Sequence, residues 1–353
     1  MNAIEPMPTR VFLTTAPRPG AIAILTVVGP DVVGILKAVT GRSDWIPGRV
    51  RLVNLAGVDE GVAVLLRSGE SGCAQLMPHG GPRVVQCLLE KLASLGVATG
   101  TPDDPRQIYP EASSPIEADM LATIARAASP AAIDRLAWQP ELWRQAVRDR
   151  SAIDPSRVLA DSAVLDRLIE PPMVVVVGRA NVGKSTLTNQ LMGRTVSLVA
   201  DLPGTTRDWV GGLVEIKGVA LHWHDTPGLR SSDDPIEQRA IRIARRVMAS
   251  ADVLIAMRDT DQDWPTADTL PREPDLRVVN KVDQQADNID WRDAIPISAQ
   301  TGEGIDQLKS AVISCLQLDR VPGEALWAFS PTLRRVMDEK LSLTELSGYL
   351  GLH

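Results

Sequence analysis

The fold of this 353-residue chain is decided by the stretch Gly178-Arg179-Ala180-Asn181-Val182-Gly183-Lys184-Ser185, a G-x-x-x-x-G-K-S pattern. The stretch follows the apolar, β-branched run Met173–Val177 and leads into a segment with apolar residues at helical spacing. A strand, a glycine loop and a helix in this order form a phosphate-binding turn, because the loop N–H groups meet the positive end of the helix. We expect Lys184 to reach the β- and γ-phosphates of a nucleotide and Ser185 to hold Mg²⁺. The predicted nucleotide contacts here are Gly178, Asn181, Val182, Gly183, Lys184, Ser185 and Thr186.

A carboxylate follows the second strand of a predicted hairpin, in the run Asp225-Thr226-Pro227-Gly228. Asp225 can hold Mg²⁺ through a water, and the N–H of Gly228 can bond a γ-phosphate, so the loop would respond to the presence of that phosphate. In isolation such a run also suits a surface turn. Its position after a strand, downstream of a phosphate loop, favours the nucleotide-binding interpretation.

The run Asn280-Lys281-Val282-Asp283 predicts which base is bound. The Asp283 carboxylate can accept two hydrogen bonds from the guanine N1–H and exocyclic amine, while Asn280 reaches the ring edge and Lys281 packs over the ring. Adenine has the opposite donor and acceptor pattern, and discrimination of this kind reaches about 10⁴-fold. A backbone N–H in the following Ser298-Ala299 would complete recognition of the guanine oxygen. The sequence therefore predicts a domain that binds GTP and GDP.

Strands and helices alternate after the phosphate loop, which predicts an α/β P-loop GTPase domain with a doubly wound, mostly parallel sheet and nucleotide at the carboxyl ends of its strands. Pro171-Pro172 mark its start. An α+β pattern precedes it, followed by helical periodicity. We predict four parts: an amino-terminal α+β domain at 1–110, a helical segment at 111–170, the G domain at 171–318 and a carboxyl-terminal helical segment at 319–353.

The composition excludes several other classes of protein. A net charge of −7 and a pI of about 5.3 argue against broad, phosphate-driven binding of nucleic acid by this chain alone. No apolar stretch has the length of a membrane span, and Met1 to Arg10 lack the order of a signal peptide. The three cysteines are scattered without metal-ligand spacing, so we expect reduced thiols and a cytoplasmic protein without membrane contact.

Together these motifs resemble the bacterial TrmE-Era-Der class of GTPases, and most closely the TrmE (MnmE) type of tRNA modification GTPase. The run Pro203-Gly204-Thr205-Thr206-Arg207-Asp208 matches the first switch of that group, in which a threonine closes on Mg²⁺. Thr206 is the favoured threonine and Thr205 the alternative. Asn181 matches the asparagine that ligates a monovalent cation in potassium-stimulated members, so the resemblance implies K⁺ as a further cofactor.

The second switch departs from Ras-like proteins, because Leu229 stands where they place a catalytic glutamine. The glutamate that substitutes for it in the TrmE family corresponds in position to Glu237. A first-turn helix carboxylate, favoured by the helix dipole, is the alternative interpretation of Glu237. The resemblance thus implies Glu237, Lys184 and Thr206 as catalytic residues.

The amino-terminal third resembles the same family in three places: Thr15–Leu25, Gly57–Ala63 and His79–Pro82. The resemblance implies a homodimer formed through this domain and a site for a folate derivative. His79 would then be functional, or else a turn residue beside two glycines. It also implies a partner flavoprotein, with tRNA contacted only indirectly.

Two departures from the family pattern bear on function. The family's tail motif Cys-x-Gly-Lys has no counterpart, since no cysteine follows Cys315, and Pro110–Pro115 replaces an arginine-containing stretch. We therefore expect a trimmed or divergent member with intact GTPase parts. Two functions stay open: a GTPase that drives wobble-uridine modification of tRNA with the flavoprotein, or a regulatory GTPase in ribosome assembly or on another partner that has lost the modification chemistry.

Overall fold

The computed structural model describes residues 9–15, 19–100, 105–109, 111–149, 153–192, 210–226, 235–266, 269–284, 293–339 and 343–352. The strands in these ranges are β1 (Arg10–Leu13), β2 (Leu25–Val28), β3 (Arg51–Leu55), β4 (Asp59–Arg67), β5 (Cys73–Met77), β6 (Ala98–Thr99), β7 (Met173–Val177), β8 (Val210–Ile216), β9 (Val219–Asp225), β10 (Val253–Asp259), β11 (Leu276–Asn280) and β12 (Ile295–Pro296). The α-helices are α1 (Val32–Thr40), α2 (Pro82–Ser94), α3 (Pro115–Arg126), α4 (Pro130–Arg148), α5 (Pro155–Leu165), α6 (Lys184–Met192), α7 (Pro235–Ser250), α8 (Ile305–Cys315), α9 (Pro331–Glu339) and α10 (Leu343–Leu350).

The chain forms two compact units. The first comprises Met1–Arg126, Leu136–Ile153 and Ala328–His353, and the second comprises Ala127–Arg135 and Asp154–Trp327. The division falls inside α4, which contributes residues to both. The four parts predicted from the sequence have other boundaries, and that division stays a prediction.

The first unit contains a six-stranded sheet in the order β3-β4-β5-β2-β1-β6, antiparallel except between β1 and β6. Because side chains alternate across a strand, β2 supplies Leu25 and Val27 to the main core and Val28 to a smaller cluster. Helices α1 and α2 cover the main core, with Leu36 and Leu88 fully buried against it. The predicted amino-terminal α+β fold is confirmed.

The helices α3, α4 and α10 of the first unit are joined by hydrogen bonds from one arginine, Arg144. Arg144 of α4 donates to Glu117 of α3, to Ser114 Oγ at 2.9 Å and to the Leu350 carbonyl oxygen at 3.0 Å. Burial acts to raise the pKa of Glu117, but hydrogen bonds from Ser113 and Arg144 lower it to about 2. Arg144 thus links the consecutive helices α3 and α4 to the end of α10, which is distant in sequence. In the part of the chain that the structure describes, no helix is both long and apolar enough to cross a membrane.

The second unit contains the sheet that positions the candidate site, in the order β12-β11-β10-β7-β9-β8. Its pairs are parallel except for the β8–β9 hairpin. Strands β7 and β10 lie in the middle of the sheet, and their side chains are buried on both faces, which explains their continuous apolar runs. After β7 the chain forms β9 on one side of β7 and then β10 on its other side. The carboxyl end of β7 is therefore a topological switch point, where ligands bind. The predicted doubly wound, mostly parallel sheet is confirmed.

Candidate nucleotide-binding site

The phosphate loop lies at this switch point, between the end of β7 and the start of α6. Two positions of the loop require glycine, because neighbouring backbone or side-chain atoms lie too close to them to leave room for a Cβ. A Cβ at Gly178 would collide with the carbonyl oxygen of Met257, and one at Gly183, whose φ is 97°, would collide with the side-chain amide of Asn280. Asn181 also has a left-handed φ of 67°, which asparagine tolerates better than most residues, and its side chain is exposed.

The loop surrounds one lysine. Lys184, only 7% exposed, donates from Nζ to the carbonyl oxygens of Gly178 at 3.0 Å and Arg179 at 2.9 Å. Burial lowers the pKa of Lys184, and the charge of Asp225 partly opposes this. A cation held inside a glycine-rich loop at a helix N-terminus favours an anion such as a phosphate.

A hydroxyl–carboxylate pair follows beside the lysine, formed by the exposed Ser185 and the buried Asp225. Ser185 Oγ donates to Asp225 Oδ2 at 2.7 Å, and Asp225 Oδ1 is buried with no hydrogen-bond partner among the described residues. Burial raises the pKa of Asp225, although the hydrogen bond from Ser185 and the charge of Lys184 act against it. A buried carboxylate oxygen that lacks a partner, next to a hydroxyl, is a hard oxygen donor set that fits Mg²⁺. These two residues would hold the ion, which in GTPases neutralises charge on the β- and γ-phosphates.

The Asn280 side chain joins the phosphate loop to the base-binding loop. Its Nδ2 donates to the Val182 carbonyl oxygen at 2.8 Å, and its Oδ1 accepts from the Ala299 N–H at 2.9 Å. The neighbouring Ser298 N–H donates to the Glu303 carbonyl oxygen at 3.0 Å. Both backbone N–H groups of the Ser298-Ala299 pair are therefore bonded within the protein, and their role toward a guanine oxygen stays a prediction.

The other two residues of the guanine motif follow β11. Asp283 is exposed in a short 3₁₀ turn, Val282–Gln284, where its carboxylate is accessible to a base. Lys281 has a left-handed φ of 66°, and its Nζ lies 2.8 Å from Asp259 Oδ2 at the end of β10. Sequence reasoning missed Asp259. The signal was present, because Asp259 ends an apolar strand at the same edge of the sheet.

Several predicted site residues are not placed. Thr205, Thr206 and Gly228 lie outside the described residues. Glu237 falls in the first turn of α7, but its side chain is not described. Thr186 is exposed at the third position of α6. The structure thus brings together the phosphate loop, Asp225 and the guanine motif.

A phosphate loop, a hydrogen-bonded serine–aspartate pair and an Asn-Lys-Val-Asp run on a doubly wound sheet define the protein as a P-loop GTPase. Residues 173–290 match the family described as 50S ribosome-binding GTPase. The tRNA modification GTPase MnmE of Thiobacillus denitrificans is 30% identical over 367 residues, covering 88% of this chain and 82% of that protein. The protein of the same name from Parvibaculum lavamentivorans is 31% identical over 357 residues, covering 87% and 81%. The chain belongs to the MnmE family of tRNA modification GTPases.

Among solved structures, the chain is similar to Era of Aquifex aeolicus bound to GDP and AlF4⁻. The identity is 28%, the TM-score is 0.33, and the match covers 40% of this chain and 56% of that one. The predicted family and the predicted GTPase activity are confirmed by the family relatives, and guanine-nucleotide binding follows with them.

Proposed function

We propose that GTP hydrolysis by this protein drives modification of wobble uridines in tRNA, together with a partner flavoprotein that contributes contact with the RNA. The observation that carries this is the similarity to relatives named tRNA modification GTPase over more than four fifths of their length. The acidic net charge of −7 fits a protein whose RNA contact is indirect. We place the protein in the cytoplasm, where such a partner and its tRNA occur.

The test is nucleoside analysis of tRNA from a deletion strain. Loss of the wobble modification, restored by the wild-type gene and by a Ser94→Ala variant but not by Ser185→Ala, supports the proposal. Ser94 is the control because its hydroxyl bonds only locally, to the Lys91 carbonyl oxygen in α2. An unchanged modification profile contradicts the proposal and selects the alternative, a regulatory GTPase without modification chemistry.

The base is recognised, in our proposal, by Asp283 with Asn280 and Lys281. The accessible carboxylate of Asp283 and the fixed amide of Asn280 support this assignment. Asp283→Asn should shift preference from GTP toward XTP, because the new amide donates to the xanthine 2-oxygen. Equal affinity of the wild-type protein for ATP and GTP, measured by calorimetric titration, would show the assignment to be wrong.

Hydrolysis depends, in our proposal, on Thr206, on Glu237 and on a K⁺ ion held by Asn181. Asn181 supports this because its exposed amide lies in the phosphate loop itself. A cation there would take the place of an inserted arginine, an effect on the order of 10³-fold in turnover. Asn181→Ala should abolish potassium stimulation while GTP still binds, and Glu237→Ala should stop hydrolysis at every potassium concentration. Equal turnover in Na⁺ and K⁺ contradicts the cation, and normal hydrolysis by Glu237→Ala makes that residue a helix-start carboxylate.

Homodimerisation through the amino-terminal domain is the fourth proposal. Ile46, Val50 and Leu52 are 53%, 59% and 66% exposed, on or just before the edge strand β3. Exposed apolar side chains beside an unpaired strand edge mark a surface for another chain, here a second copy. Leu52→Glu should give monomers in sedimentation, whereas Val33→Glu, on α1, should not. Monomeric wild-type protein, or a dimeric Leu52→Glu variant, contradicts this proposal.

A folate derivative is the ligand that we propose for the amino-terminal domain, with His79 as the residue to test. The Asp59 carboxylate accepts from the His79 backbone N–H at 2.8 Å, and His79 Nδ1 lies 3.0 Å from Asp59 Oδ1, which suits a turn residue. The His79 side chain is nevertheless 73% exposed. Titration with a tetrahydrofolate derivative, compared between wild type and His79→Ala, decides between a ligand contact and a turn residue.

A further inference from the structure

The carboxylate of Asp259 connects two loops of the nucleotide site. Asp259 ends β10, is 4% exposed, and accepts hydrogen bonds at Oδ2 from Lys281 Nζ at 2.8 Å and Gln262 Nε2 at 3.2 Å. Its Oδ1 accepts from the Asp261 N–H at 3.3 Å. The Gln262 amide also reaches the Ala180 carbonyl oxygen in the phosphate loop, at 3.5 Å. One buried carboxylate thus contacts the guanine motif directly and the phosphate loop through one side chain.

Lys281 needs such a partner for two reasons. Its left-handed φ is unfavourable for a lysine, so the backbone at this position persists only where neighbouring contacts hold it. Its long side chain also has many rotamers, and fixing one of them costs entropy unless a strong bond selects it. The ion pair with Asp259 is such a bond, because it is largely shielded from water: the Asp259 side chain is 6% exposed and the Lys281 side chain 32% exposed. The ion pair therefore selects one rotamer of Lys281.

We propose that Asp259 is a positioning residue that fixes Lys281 before nucleotide binds, and that it thereby sets affinity for guanine nucleotides rather than the rate of hydrolysis. The inference rests on the proposed role of Asn280, Lys281 and Asp283 in base recognition. Preorganising the lysine removes an ordering cost from the binding step. The chemical step takes place at the γ-phosphate, at the opposite end of the nucleotide from the base, so turnover at saturating GTP should not depend on this contact.

The alternative is a local structural role, in which Asp259 only closes the turn after β10 by accepting from Asp261. Asp259→Asn separates the two, because asparagine keeps the volume and an oxygen for the Asp261 N–H but loses the charge opposite Lys281. Isothermal titration of the full chain with GDP and with GTPγS should show a dissociation constant raised about tenfold. Turnover at saturating GTP should stay within about twofold of wild type. Asp261→Asn removes the same charge two residues away, at an exposed side chain, and should leave both quantities unchanged.

A double variant tests whether Asp259 acts through Lys281. Lys281→Met keeps an unbranched side chain and removes the ammonium, so it should weaken nucleotide binding about as much as Asp259→Asn. Adding Asp259→Asn to Lys281→Met should cause no further loss of affinity, and the thermal midpoint of the double variant should exceed that of Lys281→Met, which leaves a buried carboxylate without its cation. A structural role would instead make the two losses of affinity add.

The proposal is overturned if Asp259→Asn leaves the dissociation constants unchanged, if it lowers turnover at saturating GTP, or if its effect adds in full to that of Lys281→Met. Failure of the base-site assignment gives a different result. In that case the Asp283→Asn variant does not change its preference from GTP to XTP, and this result is independent of the effect of Asp259→Asn.

Discussion

Replacing Asp225 by asparagine should raise the thermal stability of the nucleotide-free protein and weaken its use of Mg²⁺ in the same experiment. Asp225 is 5% exposed, and its Oδ1 is buried without a partner in the described part of the chain. A buried acceptor without a partner costs about 1–3 kcal/mol of unfolding free energy, and asparagine removes the charge that makes this burial expensive.

The direction of the pKa shift supports the same sign. Burial raises the pKa of Asp225 above its ordinary value of 3.8, so the native state binds this proton more tightly than the unfolded chain does. The resulting stabilisation is present below that ordinary value and is lost as pH rises through the higher native pKa. At neutral pH the ionised carboxylate therefore destabilises the fold, and removing its charge should restore about 1 kcal/mol, the low end of the cost of a buried acceptor without a partner. That corresponds to a thermal midpoint roughly 2–4 °C higher for a unit of this size.

Thermal melts in EDTA without nucleotide give the stability, and Mg²⁺ titration of GTP hydrolysis gives the half-saturating concentration. Loss of one charged contact of about 1.5–3 kcal/mol should raise that concentration roughly tenfold to a hundredfold. Ser185→Ala is the matched comparison. It should also weaken Mg²⁺ use, but it should lower the midpoint, because it leaves Asp225 Oδ2 without its hydrogen bond. A midpoint lowered equally by Asp225→Asn would refute the reasoning.

Two further variants test the backbone of the site and the helical part of the first unit. Gly183→Ala should cost about 1–3 kcal/mol of stability and abolish GTP binding, since φ is 97° and the new methyl group collides with Asn280. Gly323→Ala, with open space around its Cβ position, should be neutral, and equal losses would contradict the collision. Glu117→Gln should cost on the order of 2 kcal/mol at pH 7 in urea denaturation. The native pKa of Glu117 is about 2, against an ordinary value of 4.5, so its stabilisation is full above 4.5 and the loss should shrink at pH 3. A constant loss at both pH values would contradict the ion pair with Arg144.

The phosphate loop, the guanine motif and the parallel sheet were predictable, because each is encoded by residues that are adjacent in sequence. Strands β3 and β5 were not predicted. Their sequences, RLVNL and CAQLM, mix charged, polar and small residues in short runs, and only pairing with neighbouring strands, β4 for β3 and both β2 and β4 for β5, makes them strands. The sequence is apolar and β-branched from Ile22 to Val28, which predicts a strand over that whole range, but the strand begins only at Leu25, and Ile22 forms an isolated bridge with His79.

The contact between Asp259 and Lys281 shows why the site itself was only partly predictable. These residues are 22 positions apart in sequence. They meet because the parallel register of β10 and β11 places Asp259 opposite Asn280. An alternating apolar and polar pattern can specify register, but β10 is apolar and buried along most of its length and has no such alternation.

The two hydrogen bonds of Asn280 have a consequence for how this protein can evolve. One short side chain must offer a donor to Val182 and an acceptor to Ala299, and among the twenty amino acids only asparagine has both groups at that length. Position 280 therefore has a single tolerated residue, whatever nucleotide is selected. Asp283 is exposed, and among the described residues its side chain does not bond the two loops together as Asn280 does. Changes in base preference among descendants of this chain should therefore accumulate at position 283, while position 280 stays invariant.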